Sequence, residues 1–122
     1  MSRDARDYLA DLHRHAVIAA ELVAGRSLDD LSADHVAVLA LERAIEIMGE
    51  AASKLPAELK EKYPDVPWRE MIGMRHRLAH AYFATDLAIL HEVAVHRLPK
   101  MMLILERIVA AEAGPSGDSA AL

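Results

Sequence analysis

Cysteine is absent from this 122-residue chain. That excludes disulfide staples and thiolate metal sites, and makes a reducing cytoplasm the expected location. No stretch approaches the ~18 uninterrupted apolar residues that a membrane span requires, so a soluble protein is expected. The start, Met1-Ser2-Arg3-Asp4-Ala5-Arg6-Asp7, is charged with no apolar run behind it, and does not read as a secretory leader. A basic excess is also missing. The net charge is −5, which argues against nucleic-acid binding through a broad basic face and leaves only a small local basic pocket for any such contact. No segment alternates like a strand and no internal repeat is present. The length suits one domain with a single core.

Helical periodicity dominates instead. Ser2 is positioned to cap a first helix running to about Val23, with Tyr8, Leu12, His15, Ala19 and Leu22 on one stripe. Gly25-Arg26-Ser27 ends it, and Asp29, Asp30 and Ser32 mark a turn. A second helix is expected from about Ala33 to Lys54 with two seams: Val38, Leu41, Ile45, Met48 and Ala52 on one, and Val36, Leu39, Ala40, Arg43, Ile47 and Glu50 mixed along another. A helix apolar on two sides packs against two partners, here the bundle core and a further subunit. Leu55-Pro56 stops it, a short helical turn follows over Ala57 to Tyr63, and Pro67 fits the first position of a third helix fading near His80 to Phe83. Thr85 or Asp86 caps the last helix, expected to end near Ala111. Its seam is Leu87, Leu90, Ala94, Leu98, Met101, Leu105 and Ile108, with a kink at Pro99. The expected fold is all-α: a single-domain, up-and-down bundle of four main helices plus a short one over residues 1–112, with a flexible tail over 113–122.

Within the third helix, Arg75-His76-Arg77-Leu78-Ala79-His80-Ala81-Tyr82 gathers two guanidinium groups, two imidazoles and a phenol. Cleaving a phosphodiester without a metal requires one group to move a proton and another to hold charge at phosphorus. An imidazole titrating near neutrality suits the first task and a guanidinium with paired donors suits the second. His80 is therefore the candidate proton-transfer residue and Arg75 the phosphate clamp. Five residues along a helix turn the chain by ~500°, which leaves positions 75 and 80 about 140° apart. Either two subunits meet across a dyad, so that each His80 reaches the other's Arg75, or the helix frays before His80. The structural alternative is that Arg75 and His80 pair with Glu46 or Glu50.

Arg69 and Arg77 either widen a basic pocket or pair with Glu70 and Asp65. Glu50 either orients an active-site imidazole or is solvated, and Trp68 reads as core, with stacking on a base as the alternative. His76 and His80 have metal-ligand spacing, but no third ligand is placed, so no metal and no cofactor is expected.

The sequence resembles the HepT-like ribonuclease toxins of the HEPN superfamily over roughly residues 5 to 110. The resemblance rests on Leu41-Glu42-Arg43-Ala44-Ile45-Glu46-Ile47-Met48-Gly49-Glu50-Ala51 and on Tyr63-Pro64-Asp65-Val66-Pro67-Trp68-Arg69-Glu70-Met71-Ile72-Gly73-Met74-Arg75. It rests further on the Arg-x4-His-x-Tyr string and on Leu98-Pro99. It implies a bundle that dimerises around the motif, forming a composite, metal-independent endoribonuclease site. The implied partner is a minimal nucleotidyltransferase antitoxin of a type VII-like toxin-antitoxin pair, in a homodimer or a larger hetero-oligomer. That antitoxin would transfer AMP to Tyr82. One position departs from the family: a polar amide commonly follows the motif arginine, and here it is His76, bulkier and titratable. The alternative implied function is a non-catalytic interaction partner and AMPylation substrate of the nucleotidyltransferase.

Overall fold

The computed structural model describes residues 4–80 and 86–120, and the side chains among them except those of 79–80 and 114–120. The described chain is helical with no strand. Helix α1 spans Ala5–Val23, α2 Leu28–Ser32, α3 His35–Lys54, α4 Ala57–Lys62, α5 Trp68–His80, α6 Leu87–Glu92 and α7 Leu98–Ala120, with a π-helical turn over Val93–Arg97 joining the last two. The four main helical segments are thus α1, α3, α5 and the α6–π–α7 path, as expected. No helix among the described residues is long and apolar enough to cross a membrane.

Local chemistry sets most boundaries. The cap of α1 is Asp4, not Ser2: its carboxylate accepts from the Arg6 and Asp7 amides while Asp7 reaches back to the Asp4 amide. Only a cap at position 4 places a carboxylate three residues on, closing a reciprocal box. Ser27 and Asp30 form the same box and start α2, a short helix where the sequence suggested only a turn. Gly25, just ahead of that box, has φ +71°, a left-handed conformation that glycine adopts without strain. Asp34 caps α3 through the Ala37 amide, and Asp86 caps α6 through the Ala88 amide. The first helical residue of α5 is Trp68, one after Pro67, whose carbonyl accepts from the Met71 amide at 3.1 Å.

At the position of the expected kink, a π-helical turn over Val93–Arg97 precedes Pro99. Pro99 has no N–H to offer the Val95 carbonyl, and its ring crowds that oxygen. The chain widens ahead of it instead, and the Leu98 amide donates to Val93 five residues back. The helix also runs beyond the end expected near Ala111. Ala110 to Ala113 are good helix formers, and Glu112 is anchored by Tyr63 Oη and by Lys62 Nζ, the latter at 3.0 Å.

Helix α1 packs on both α3 and α7, while α5 packs mainly on α3. The core seam of α1 is Leu9, Leu12, Ala16, Ala19 and Val23, rotated from the expected stripe; Tyr8 and Leu22 sit at its margin. Small alanines at 16 and 19 let the neighbouring helices approach, a preference that hydrophobicity alone does not rank. The apolar seam of α3 and that of the last helix are buried, with Val38 and Leu87 at their margins. The second seam of α3 leaves Val36 76% and Leu39 52% exposed.

The cap carboxylates carry a testable pH dependence. Backbone amides hold Asp4, Asp30 and Asp34 below the ordinary aspartate value, each chiefly through one amide: that of Asp7, Ser27 and Ala37 respectively. Glu112 is also lowered, first by the Tyr63 hydroxyl and then by Lys62. A lowered acid contributes stability above its unfolded value and loses it as pH falls through the folded one. The urea midpoint is therefore expected to drop as pH falls below the ordinary values of 3.8 for aspartate and 4.5 for glutamate, with Glu112→Gln flattening the upper part of that drop.

Candidate active site

The motif helix α5 is held at its start by the packing of Trp68, which is buried and donates from Nε1 to the Tyr63 carbonyl at 2.9 Å. A role for this indole in stacking on a base is thereby excluded. Along its length α5 lies unusually close to α3, and Gly49 is the reason. A Cβ built there would sit 2.2 Å from Arg75 Cβ and 2.6 Å from the Met71 carbonyl oxygen. A glycine inside a strong helix costs about 1 kcal/mol relative to alanine, so its presence here reflects the close backbone approach.

That crossing sets the partner of Arg75. Glu50, next to Gly49, accepts a hydrogen bond from Arg75 Nε at 3.0 Å and forms an ion pair with Nη2 at 2.9 Å, both on Oε2. Of the two carboxylates left open by the sequence, Glu46 instead pairs with Arg43 at 3.1 Å. The two side chains are about two-fifths exposed, Arg75 36% and Glu50 46%, so the pair contributes little to stability. Its consequence is orientation. A guanidinium has five N–H donors, and Glu50 engages the Nε–Nη2 edge of the fork and not the Nη1 end. This can hold an anion with paired donors, as a phosphate clamp requires.

The helix is continuous through His80. Fraying before that residue is thus ruled out as the way to bring it beside Arg75, and the two backbone positions remain about 140° apart. The side chain of His80 and the whole of Tyr82 lie outside the described residues. His76 and Arg77 are exposed on α5. Glu70 does not partner Arg69 or Arg77; it forms an ion pair with Arg97 at the end of the π turn. His91 donates from Nε2 to the Arg26 carbonyl at 2.9 Å, fastening the start of the last helix to the turn after α1.

A cavity that the sequence did not announce adjoins this helix. It has a volume of about 410 Å³ and opens between α5 and the α6–π–α7 path, across α3. Ile45, Met48, Met71, Met74, Leu98 and Met101 form its apolar wall, and Arg69, Arg77, Arg97 and Glu70 stand among its lining residues. A cavity between three elements leaves no periodic trace. The available signals were the isolated Gly73 on α5 and the proline that widens the last helix.

A family model described as ribonuclease HepT-like matches residues 6–108 of the chain. The chain is 33% identical over 108 residues to a probable ribonuclease HepT of Thermococcus cleftensis, covering 88% of this chain and 98% of that protein. It is 36% identical over 107 residues to a putative RNase of Caldanaerobacter subterraneus, covering 88% and 96%. A putative RNase of Methanocaldococcus jannaschii is 29% identical over 107 residues, covering 88% of each chain. No solved structure matches.

Proposed function

This chain belongs to the HepT-like ribonuclease family, and we propose that it is an endoribonuclease that cuts RNA without a metal, as a homodimer, with Arg75 and His80 as its reacting groups. The observation that carries this reading is the guanidinium of Arg75, held by Glu50 along its Nε–Nη2 edge and not at its Nη1 end. In the reaction the 2′-oxygen bonds to phosphorus as the bond to the 5′-oxygen breaks. One proton leaves the 2′-hydroxyl and another reaches the departing 5′-oxygen, giving a 2′,3′-cyclic phosphate and a 5′-hydroxyl. His80 performs proton transfer, and in a dimer two imidazoles are present, one to take and one to give. Arg75 stabilises the extra negative charge on the phosphorane. A straight α5 separates positions 75 and 80 around its axis, which favours a site assembled from both subunits.

The biological setting we propose is that of a toxin, neutralised by a minimal nucleotidyltransferase that places AMP on Tyr82. An added phosphate there brings negative charge and bulk seven residues from Arg75, competing with RNA phosphate for the guanidinium. The second reading keeps the nucleotidyltransferase and removes the catalysis. It is favoured by the net charge of −5 and by an exposed His76 beside the motif arginine.

The decisive experiment is cleavage of single-stranded RNA by purified protein in excess chelator. Wild-type protein is expected to cut, and His80→Ala and Arg75→Ala to lose at least ~10²-fold in rate while remaining folded dimers. Cleavage surviving both substitutions overturns the catalytic assignment. Absence of cleavage by the wild-type protein, with a mass gain of one AMP on incubation with the nucleotidyltransferase and ATP, establishes the second reading.

A further inference from the structure

We propose that the cavity between α5 and the last helix is a nucleobase pocket, in which one unstacked base of single-stranded RNA is held while the arginines beside it bind the flanking phosphates. This rests on the ribonuclease reading and adds a recognition subsite to it.

Three observations converge. The first is the wall. Four of the chain's six methionines, Met48, Met71, Met74 and Met101, line this one cavity. Thioethers are polarisable, conform to irregular shapes and make favourable contacts with aromatic rings, so a methionine-rich wall suits a planar heteroaromatic guest. The volume of about 410 Å³ falls in the range of small-ligand sites, which run from ~300 to ~1,000 Å³.

The second observation is charge. Arg69, Arg77 and Arg97 line the cavity against the single carboxylate Glu70, a local net charge of +2 on a chain whose net charge is −5. Basic side chains grouped around an apolar hollow match a ligand with an aromatic body and anionic ends, which is a nucleotide within a strand. The Arg97–Glu70 ion pair joins the π turn to α5 on exposed side chains. Its contribution to stability is therefore small, and a phosphate can take the place of Glu70 on Arg97 at little cost.

The third is register. On α5 the lining residues Glu70, Gly73, Met74 and Arg77 share one side. Position 80 follows Arg77 by three and Gly73 by seven, so the helix repeat places it on that side, one turn further on. Position 75 lies instead against α3, where Arg75 meets Glu50. A base seated in the cavity would therefore present its sugar-phosphate linkage toward the turn that carries His80.

Gly73 supplies the test. It lies on the cavity wall, has an ordinary helical backbone, and a Cβ added there meets nothing within 4 Å. Gly73→Leu fills the opening without strain and improves helix propensity, so the variant is expected to melt no lower than wild type. Binding is read with a fluorescein-labelled single-stranded oligonucleotide carrying 2′-fluoro sugars, which cannot be cut by 2′-hydroxyl attack. The added side chain occupies the space the base needs, so Gly73→Leu is expected to weaken binding by about 10-fold or more. Arg97→Gln is expected to lower the slope of log affinity against log salt by about 0.7, the increment that one neutralised phosphate contributes on a single strand.

Unchanged affinity in a folded Gly73→Leu protein overturns the pocket, as does absence of binding by wild-type protein. A shift in oligomeric state on analytical ultracentrifugation, with RNA affinity intact, also overturns it and assigns the cavity to an interface between copies. Binding that obeys these expectations in a protein that does not cut RNA preserves the pocket and removes only the catalytic reading.

Discussion

Gly49→Ala is expected to destabilise the protein by up to about 2 kcal/mol and to abolish most ribonuclease activity, although alanine is the better helix former. Two effects oppose each other at this position. Removing a glycine from a helix interior gains about 1 kcal/mol. Overpacking typically costs about 1–3 kcal/mol, occasionally more. Here the obstacles are a Cβ at 2.2 Å and a backbone carbonyl oxygen at 2.6 Å, neither of which can swing aside like the end of a long side chain. Both belong to α5, so the helices must separate, and the clash wins. Gly73→Ala is the matched control: the same chemical change on the neighbouring helix meets nothing within 4 Å. It should gain about 1 kcal/mol. Urea denaturation of the two variants should therefore give shifts of opposite sign. A stabilised Gly49→Ala protein would show that α3 and α5 do not approach as closely as described.

The activity loss follows because the separation occurs beside the site. Arg75 is the residue the new methyl strikes, and Glu50, which orients it, is the next residue along α3. A displacement of about 1 Å in a positioning group can cost 10²-fold in rate.

The second large effect is expected from the Glu50–Arg75 pair itself. Glu50→Ala and Arg75→Lys should each lower kcat by about 10²-fold while changing stability by less than about 1 kcal/mol. Glu50 is a positioning residue: it occupies Nε and Nη2 of Arg75 through one oxygen and leaves the Nη1 end for phosphate. Lysine offers a single point charge, which cannot serve a carboxylate and a phosphorane with aligned donors together. Glu50→Gln keeps an acceptor at the same place and should recover part of the rate that Glu50→Ala removes. The opposing possibility is competition, in which Glu50 occupies the guanidinium that RNA needs. In that case Glu50→Ala would lower KM and raise kcat/KM, and the positioning role would be refuted. A fall in kcat with KM little changed supports it.

The sequence was most legible where a single residue type acts through its own backbone. Asp86 and Gly25 punctuate the helices as their chemistry requires, and the seam from Leu90 to Ile108 is buried as its spacing predicts. It was less legible where two assignments satisfy the same local rule. Ser2 and Asp4 are both good caps, and the carboxylate of Asp7 decided between them. Glu46 and Glu50 lie one turn apart on the same face of α3, so spacing could not say which meets Arg75.

The motif string at Arg75 and His80 was visible from the start, because its chemistry lies in residue types and their order. So were the all-helical fold, the two-sided character of α3 and the kinship with HepT-like ribonucleases. The tertiary structure alone decided what surrounds the string. The crossing at Gly49 hands Arg75 to Glu50, and the unbroken α5 keeps positions 75 and 80 on different sides of its axis. The widened turn before Pro99 stands across a methionine-lined hollow from the same helix. Each depends on the distance between helices far apart in the chain. Helical periodicity specifies which face of a segment is apolar, but not how closely that face approaches another.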